Sequence, residues 1–387
     1  MIPYGRQDIS ETDIDEVKKV LRSDFITQGP SVPKFENAVA NYCNASYAIA
    51  VNSATSALHI SCLSLGLGPG DLLWTSPNTF VASANCGRYC GADIDFVDID
   101  FDTYNISLKA LSKKLEMADK LGKLPKILVS VHFAGQSCDM KAISELSKNY
   151  GFKIIEDASH AIGASYNDKK IGSCLYSDIT VFSYHPVKII TSAEGGMALT
   201  NNKKIADRIY RLRTHGITND KEQMIERSED EIWNYQQIDL GFNYRMNDIQ
   251  AVLGLSQLKR VDQYVRHRRE IAKFYNYELK NLPITIPFQA PYSHSSYHLY
   301  PILIKNENNL KTQKQIFNEL RGEGIAANLH YTPVHRHPYY EKLGFKKNDF
   351  PIAEDFHKKA ISIPIYPTLT DQQKDHVVKT LKKVMSS

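Results

Sequence analysis

The chain has 387 residues, 42% hydrophobic and 23% charged, which excludes a disordered chain, a collagen-like one and a disulfide scaffold. Lys and Arg number 47 against 43 Asp and Glu, and the resulting +4 is spread along the sequence. That excludes a nucleic-acid arm or a polybasic membrane patch, but leaves room for a phosphate-bearing substrate held by a few local donors. The six cysteines are too sparse to be staples and read as reduced, buried thiols of a cytosolic protein. The first residues lack the charged-then-apolar pattern of a signal peptide. No stretch approaches the ~18 apolar residues of a membrane span.

Short apolar runs then alternate with helical patterns. Residues 48–51 read as a strand, 53–65 as a helix, 72–75 as a strand and 80–89 as a helix. The series continues with a strand at 94–97, a helix at 108–121, a strand at 126–132, a helix at 141–150 and a strand at 153–156, and strands at 179–183 and 196–200 close it. Such alternation, with nearly continuous apolar strands, predicts an α/β fold whose mainly parallel sheet is covered on both faces. Beyond it, 203–215 is helical, and 217–237 reads as a long polar loop of the kind that often carries function. Residues 247–280 form a long amphipathic stretch that joins two domains. A strand at 297–304 and helices at 314–323 and 371–385 make the last third a smaller α+β domain. The expected division is 1–250 and 251–387.

Three segments carry chemistry. In Ser183-Tyr-His-Pro-Val-Lys188, followed by Thr191-Ser-Ala-Glu-Gly-Gly196, a strand ends in a loop holding one lysine, and two glycines open the next strand. A lysine fixed between strands suits a Schiff-base nucleophile, because its surroundings can lower its pKa. Taken alone, a lysine is more often simply solvated. In Lys153-Ile-Ile-Glu-Asp157-Ala-Ser-His160, Asp157 stands at the carboxyl end of a buried strand, where ligands of open α/β sheets sit. A carboxylate there can keep a pyridinium nitrogen protonated, although a helix N-cap is the plainer reading. In Val51-Asn-Ser53-Ala54-Thr55, small hydroxyl residues follow a strand and open a helix, presenting free N–H groups to a phosphate. Ser183 lies where it adds a hydroxyl to the same phosphate, and Phe80 where it stacks on a ring.

Together these run in one order: phosphate turn, ring aromatic, ring-nitrogen Asp, phosphate Ser, Schiff-base Lys. With Thr27-Gln-Gly-Pro30, Asn52-Ser-Ala-Thr-Ser-Ala-Leu58, Glu156-Asp-Ala-Ser-His160, Ala193-Glu-Gly-Gly196 and Gly241-Phe-Asn-Tyr-Arg-Met-Asn-Asp-Ile-Gln250, the chain resembles the sugar aminotransferases. These are pyridoxal 5′-phosphate enzymes of the aspartate-aminotransferase fold, fold type I, acting on nucleotide-linked keto-sugars. The resemblance covers nearly the whole chain. It implies that Lys188 is the Schiff-base lysine and Asp157 the pyridinium partner. It also implies that Ser53, Ala54, Thr55 and Ser183 cradle the phosphate, that Phe80 stacks on the ring and that His160 faces the ring hydroxyl. Asn243 would reach across a homodimer interface to the partner's cofactor phosphate. Tyr4, Thr27, His330 and Tyr331 are substrate contacts by motif position.

Val131-His-Phe-Ala-Gly-Gln136, Arg213-Thr-His-Gly216, Asn328-Leu-His-Tyr-Thr-Pro333 and Ser362-Ile-Pro-Ile-Tyr-Pro367 resemble one branch, the C4 aminotransferases of pseudaminic acid biosynthesis. That branch implies a UDP-linked 4-keto-6-deoxy sugar as substrate and L-glutamate as amino donor. His185-Pro186 departs from the wider family's loop, which keeps GDP- and dTDP-linked sugars open as alternatives. A non-catalytic pyridoxal-phosphate-binding regulator is a further alternative, although the chain keeps Lys188. A dinucleotide-dependent dehydrogenase does not fit, since Gly66-Leu-Gly68-Pro-Gly70 follows a helix and precedes a strand, the reverse of the dinucleotide fingerprint. The pairs His335/His337 and His294/His298 lack convergent partners, so no metal is expected.

Overall fold

The computed structural model describes residues 1–225, 231, 233–305 and 311–386. Its centre is a seven-stranded sheet of β1 (Tyr47–Val51), β2 (Leu72–Thr75), β3 (Asp93–Phe96), β4 (Ile127–Val131), β5 (Lys153–Asp157), β6 (Ile179–Ser183) and β7 (Gly196–Thr200). The order is β1-β7-β6-β5-β4-β2-β3, and only β7 runs antiparallel to its neighbours. The strand positions match the sequence expectation to within a residue or two. β4, β6 and β7 are buried at every residue, as strands covered on both faces must be.

One face is covered by α1 (Glu11–Leu21) and α2 (Ser31–Cys43), neither foreseen, and by α5 (Leu108–Lys120), α6 (Met140–Tyr150) and α8 (Asp248–Leu258). The other is covered by α3 (Ala54–Ser64), α4 (Ala82–Tyr89) and α7 (Lys203–Arg213). α3 is buried at eight of its eleven positions, its Ser56, His59, Ser61 and Ser64 included, so it is a core helix. α1 is defined by a capping box between Ser10 and Asp13, an acidic variant of the usual Glu/Gln pattern.

The amphipathic stretch 247–280 is two helices, α8 and α9 (Val261–Leu279), broken at Lys259 and Arg260. Arg260 turns aside there to ion-pair with buried Asp13. Val261, Tyr264 and Val265 at the start of α9 belong to the core beside the large sheet. Ile271, Ala272, Tyr275 and Leu279 belong to a second core, under a three-stranded antiparallel sheet of Ile284–Thr285, Tyr300–Ile304 and Ala360–Ile363. Between them Arg268, fully buried, donates to the carbonyls of Tyr297 (3.2 Å), His298 (3.2 Å) and Ile365 (2.7 Å). α10 (Gln313–Gly322) and α13 (Asp371–Ser386) complete this part, whereas α11 (Pro338–Glu341) and α12 (Pro351–Lys359) send Tyr340, Ala353 and Phe356 into the core that holds α3 and α4.

The segment expected as a long loop is closed at its base, where Ile217–Thr218 pairs with Gln236–Gln237. Residues 226–230 and 232 within it lie outside the described residues. At the other end of the chain, Ile2–Pro3 pairs in parallel with Ile325–Ala326, and Ile365 N–H donates to the Tyr4 carbonyl (3.0 Å). The N-terminal segment is thus sewn onto the C-terminal part, which brings Tyr4 beside His330 with ring centroids 5.0 Å apart.

Candidate active site

The carboxyl ends of β4, β5 and β6 open into a cavity of about 540 Å³. Of the residues picked from sequence, Ser53, Ala54, Thr55, Phe80, Asp157, His160, Ser183, Lys188, Tyr4, His330 and Tyr331 all line it. Thr27 and Asn243 do not. Thr27 is exposed, in a segment docked on α8 by the buried carboxylate of Asp248, which accepts from Gly29 and Ser31 N–H (both 2.8 Å). Asn243 is exposed on a segment laid beside the start of α3, where Asn52 N–H donates to the Tyr244 carbonyl (2.8 Å).

Asp157 ends β5 with its side chain on the cavity face, 6% exposed. One oxygen accepts from Ser159 N–H (3.1 Å) and Oγ (2.6 Å), and the other from Ser83 Oγ (2.6 Å). Ser83 in turn meets Thr79 Oγ1 at 2.8 Å. These hydroxyls fix the carboxylate from two sides. Lys188 follows a turn in which its N–H donates to the His185 carbonyl (2.9 Å). Its ammonium nitrogen has no hydrogen-bond or ion-pair partner among the described residues. Burial pushes Lys188 down to about 8, against the pull of the Asp157 carboxylate. A lysine poised near neutral pH is a usable nucleophile and base.

The phosphate expectation has a specific geometry. Ser53 caps α3, accepting from Ser56 N–H (3.1 Å), and Ala54 and Thr55, which line the cavity, open the helix with N–H groups that have no acceptor among the described residues. Gly196 explains how β7 comes so near. A Cβ there would lie 2.5 Å from Ala54 N and from the Ser53 carbonyl atoms, so only glycine permits the approach. Ser183, at the end of β6, brings its hydroxyl to the same wall. A helix N-terminus with free N–H groups, a buried carboxylate and an unpaired lysine in one cavity fit an anionic, nitrogen-heterocyclic aldehyde such as pyridoxal phosphate. Phe80, 59% exposed although large and aromatic, forms a bare wall that a ring can cover.

The remaining wall is aromatic and neutral. His160 lies between His298 (centroids 4.3 Å, planes tilted by 39°) and Tyr331 (6.3 Å, planes at 21°). Burial, with Lys188 as a further cause, holds both histidines well below their ordinary range. Burial likewise pushes His330 down to about 3. Sequence reasoning missed Thr79, Ser83, Ser159 and Asn328, and weighed His298 only as half of a metal-binding pair. Ser83 carried no local signal, since Thr79 lies before α4 and Asp157 is 74 positions away. His298 carried no local signal, since Arg268 places it from another helix. Among the described residues no group of three or more His, Cys, Asp or Glu is arranged to hold a metal ion, and no helix is long and apolar enough to cross a membrane. His335 is tied to Glu354 (3.0 Å), and His294 lies 3.7 Å from Asp168 at the surface.

Comparison with known proteins agrees with this chemistry. Residues 7–382 match the DegT/DnrJ/EryC1/StrS aminotransferase family. An uncharacterized protein of Methanocaldococcus jannaschii is 40% identical over all of this chain and 98% of its own. The UDP-4-amino-4,6-dideoxy-N-acetyl-β-L-altrosamine transaminase of Campylobacter jejuni is 36% identical over 100% and 98%. Among solved structures, Helicobacter pylori PseC, an aminotransferase of pseudaminic acid biosynthesis, superposes with a TM-score of 0.89 at 30% identity, covering 100% of this chain and 99% of that one. A sugar aminotransferase of Streptococcus pneumoniae, Spr1654, superposes in its PMP form (TM-score 0.89) and PLP form (0.88), each at 29% identity over 100% and 98%.

Proposed function

This chain belongs to the DegT/DnrJ/EryC1/StrS aminotransferase family, and from that premise we propose that it transfers the amino group of L-glutamate to C4 of UDP-2-acetamido-2,6-dideoxy-β-L-arabino-hexos-4-ulose. The product is UDP-4-amino-4,6-dideoxy-N-acetyl-β-L-altrosamine. The observation that carries the chemistry is the unpaired, half-buried Lys188 sharing a cavity with the hydroxyl-clamped Asp157. The named relatives support the substrate.

Pyridoxal 5′-phosphate, the family's cofactor, supplies when bound an aldehyde that takes up the amino group and a protonated ring that spreads negative charge. The rest is the work of the chain's own residues. Ala54 and Thr55 N–H, with the Ser53 and Ser183 hydroxyls, hold the phosphate at the positive end of α3. Asp157, held by Ser83 and Ser159, keeps the ring nitrogen protonated. Phe80 and His160, which line the same cavity, would border the ring. Neutral Lys188 Nζ takes the proton from Cα of glutamate and later delivers one to C4 of the sugar, from one side only. The side it occupies sets the configuration of the new amine. Tyr4, His330 and Tyr331 form the sugar side of the pocket, and Thr27 lies outside the single-chain cavity.

We place two copies together in the working enzyme. Phe25, Ile26, Trp233, Tyr235 and Leu240 are large apolar side chains left exposed, and Asn243 stands exposed beside the phosphate turn, which supports a site shared with a partner. The test is a panel of UDP-, GDP- and dTDP-linked 4-keto-6-deoxy sugars assayed with glutamate, with products identified by mass. The expected result is the highest kcat/KM for the UDP-linked N-acetyl sugar. A GDP- or dTDP-linked sugar turned over faster would overturn the assignment.

A further inference from the structure

The hydrogen bonds around His160 settle which of its nitrogens carries the proton. Ala134 N–H donates to His160 Nδ1 at 3.2 Å, so Nδ1 is an acceptor. The ring is also pinned from its own carbonyl, which accepts Ser296 Oγ at 2.7 Å. An imidazole whose Nδ1 accepts carries its one proton on Nε2, and burial beside Lys188 disfavours the charged ring. Nε2 is 3.1 Å from Tyr331 Oη, and Nε2–H therefore donates to the tyrosine oxygen. An oxygen that receives there has its own O–H left over. Among the described residues no acceptor takes that hydrogen, and Tyr331 lines the cavity. Phe80 and Phe133 flank the ring at 6.3 and 6.4 Å, and His357 Nδ1 lies 3.1 Å from the Tyr331 carbonyl, so the phenol has little freedom to turn away.

We propose that Tyr331 is a catalytic residue whose hydroxyl, oriented by the Nε2–H tautomer of His160, donates a hydrogen bond to the ketone oxygen of the sugar. This rests on the keto-sugar reading above. The choice of a ketone follows from what surrounds the hydroxyl. Phe80, Phe133 and His160 stand about it, and a single neutral donor among such rings suits a neutral carbonyl oxygen. The hydroxyl gains most where charge builds on that oxygen as its carbon takes nitrogen, which is differential stabilisation of the transition state. Burial pushes the phenol well above its ordinary range, so it stays a donor at any working pH.

The test uses the cofactor-loaded enzyme in three measurements. Long-range proton–nitrogen correlation spectra of 15N-histidine-labelled protein should show His160 as the neutral Nε2–H form, and an Nδ1–H form would overturn the proposal whatever the substrate proves to be. Tyr331→Phe should leave the resting visible band in place, because the bond is to substrate, and a shifted band would move the contact to the cofactor and refute it. The two half-reactions, followed separately by the cofactor's absorbance, should split. The return step with keto-sugar should slow by about 10²-fold, while the forward step with glutamate is unchanged. Equal losses in both, or loss in the glutamate step alone, would refute the role. A failed keto-sugar substrate would refute the functional assignment and leave the tautomer result standing.

Discussion

Glu156 and Asp157 are neighbours on one strand and lead opposite lives. Strand alternation sends them to opposite faces of the sheet. Glu156 is closed in by protein: Oε2 meets His132 Nε2 at 2.7 Å, and Oε1 accepts from Ser177 Oγ (2.5 Å) and Thr180 Oγ1 (2.9 Å). His132 is itself completed by Cys138 N–H, which donates to Nδ1 (3.2 Å). Asp157 is held by two serines, but it looks onto a cavity and a lysine whose nitrogen has no hydrogen-bond or ion-pair partner among the described residues. Both carboxylates are buried, so burial does not separate the structural acid from the functional one. What separates them is whether the surrounding groups complete each other's bonding or leave a vacancy shaped for something else.

The contrast can be broken in three ways. The largest effect is expected at the lysine. Lys188→Ala should lower transamination by about 10⁴-fold and remove the lysine-dependent visible band of the loaded protein, while thermal stability moves by no more than about 0.5 kcal/mol. Steady-state rates, spectra and melting curves check this, and a variant that keeps both rate and band ends the assignment. Next come the two carboxylates, which should fail in opposite assays. Asp157→Asn should cost about 10²- to 10³-fold in kcat with a stability close to the parent. Glu156→Gln should cost about 2 kcal/mol of stability, by stranding buried partners, with turnover per folded molecule nearly intact. Urea unfolding paired with kinetics separates the two, and matching profiles would dissolve the distinction. The smallest effect is a titration. In protein stripped of cofactor, Lys188 should react with an amine-directed reagent at a rate that rises about tenfold per pH unit and levels near its lowered value of about 8. The sign follows from the free amine being the reactive form. Peptide mapping by mass across pH reads it, and a rise continuing toward the ordinary lysine range of 10.5 would show an unperturbed group.

Much of this was legible before the structure. Strand positions were readable because buried parallel strands are apolar throughout, and Asp157 and Ser183 end strands while Ser53 and Lys188 stand in the turns that follow strands, where ligands of such sheets sit. What escaped notice was tertiary. α1 is mostly polar, with two acidic residues in its first turn, and its apolar stripe is thin. The break between α8 and α9 is made by Arg260 reaching an aspartate 247 positions away. Likewise Ser83 touches Asp157 across 74 positions, and His160 meets Tyr331 across 171. No local pattern announces such pairs. Even the family resemblance, which placed His160 near the ring, said nothing of which nitrogen bears its proton.

The helix α9 has one more consequence, in the language of cooperativity. Its first turns complete the core beside the large sheet and its last turns complete the core under the small one, with Arg268 gripping three carbonyls between them. Opening either core bares a stripe of a helix that the other still needs. The shared helix therefore couples the melting of the two, and the His298 ring beside the cavity inherits its steadiness from both.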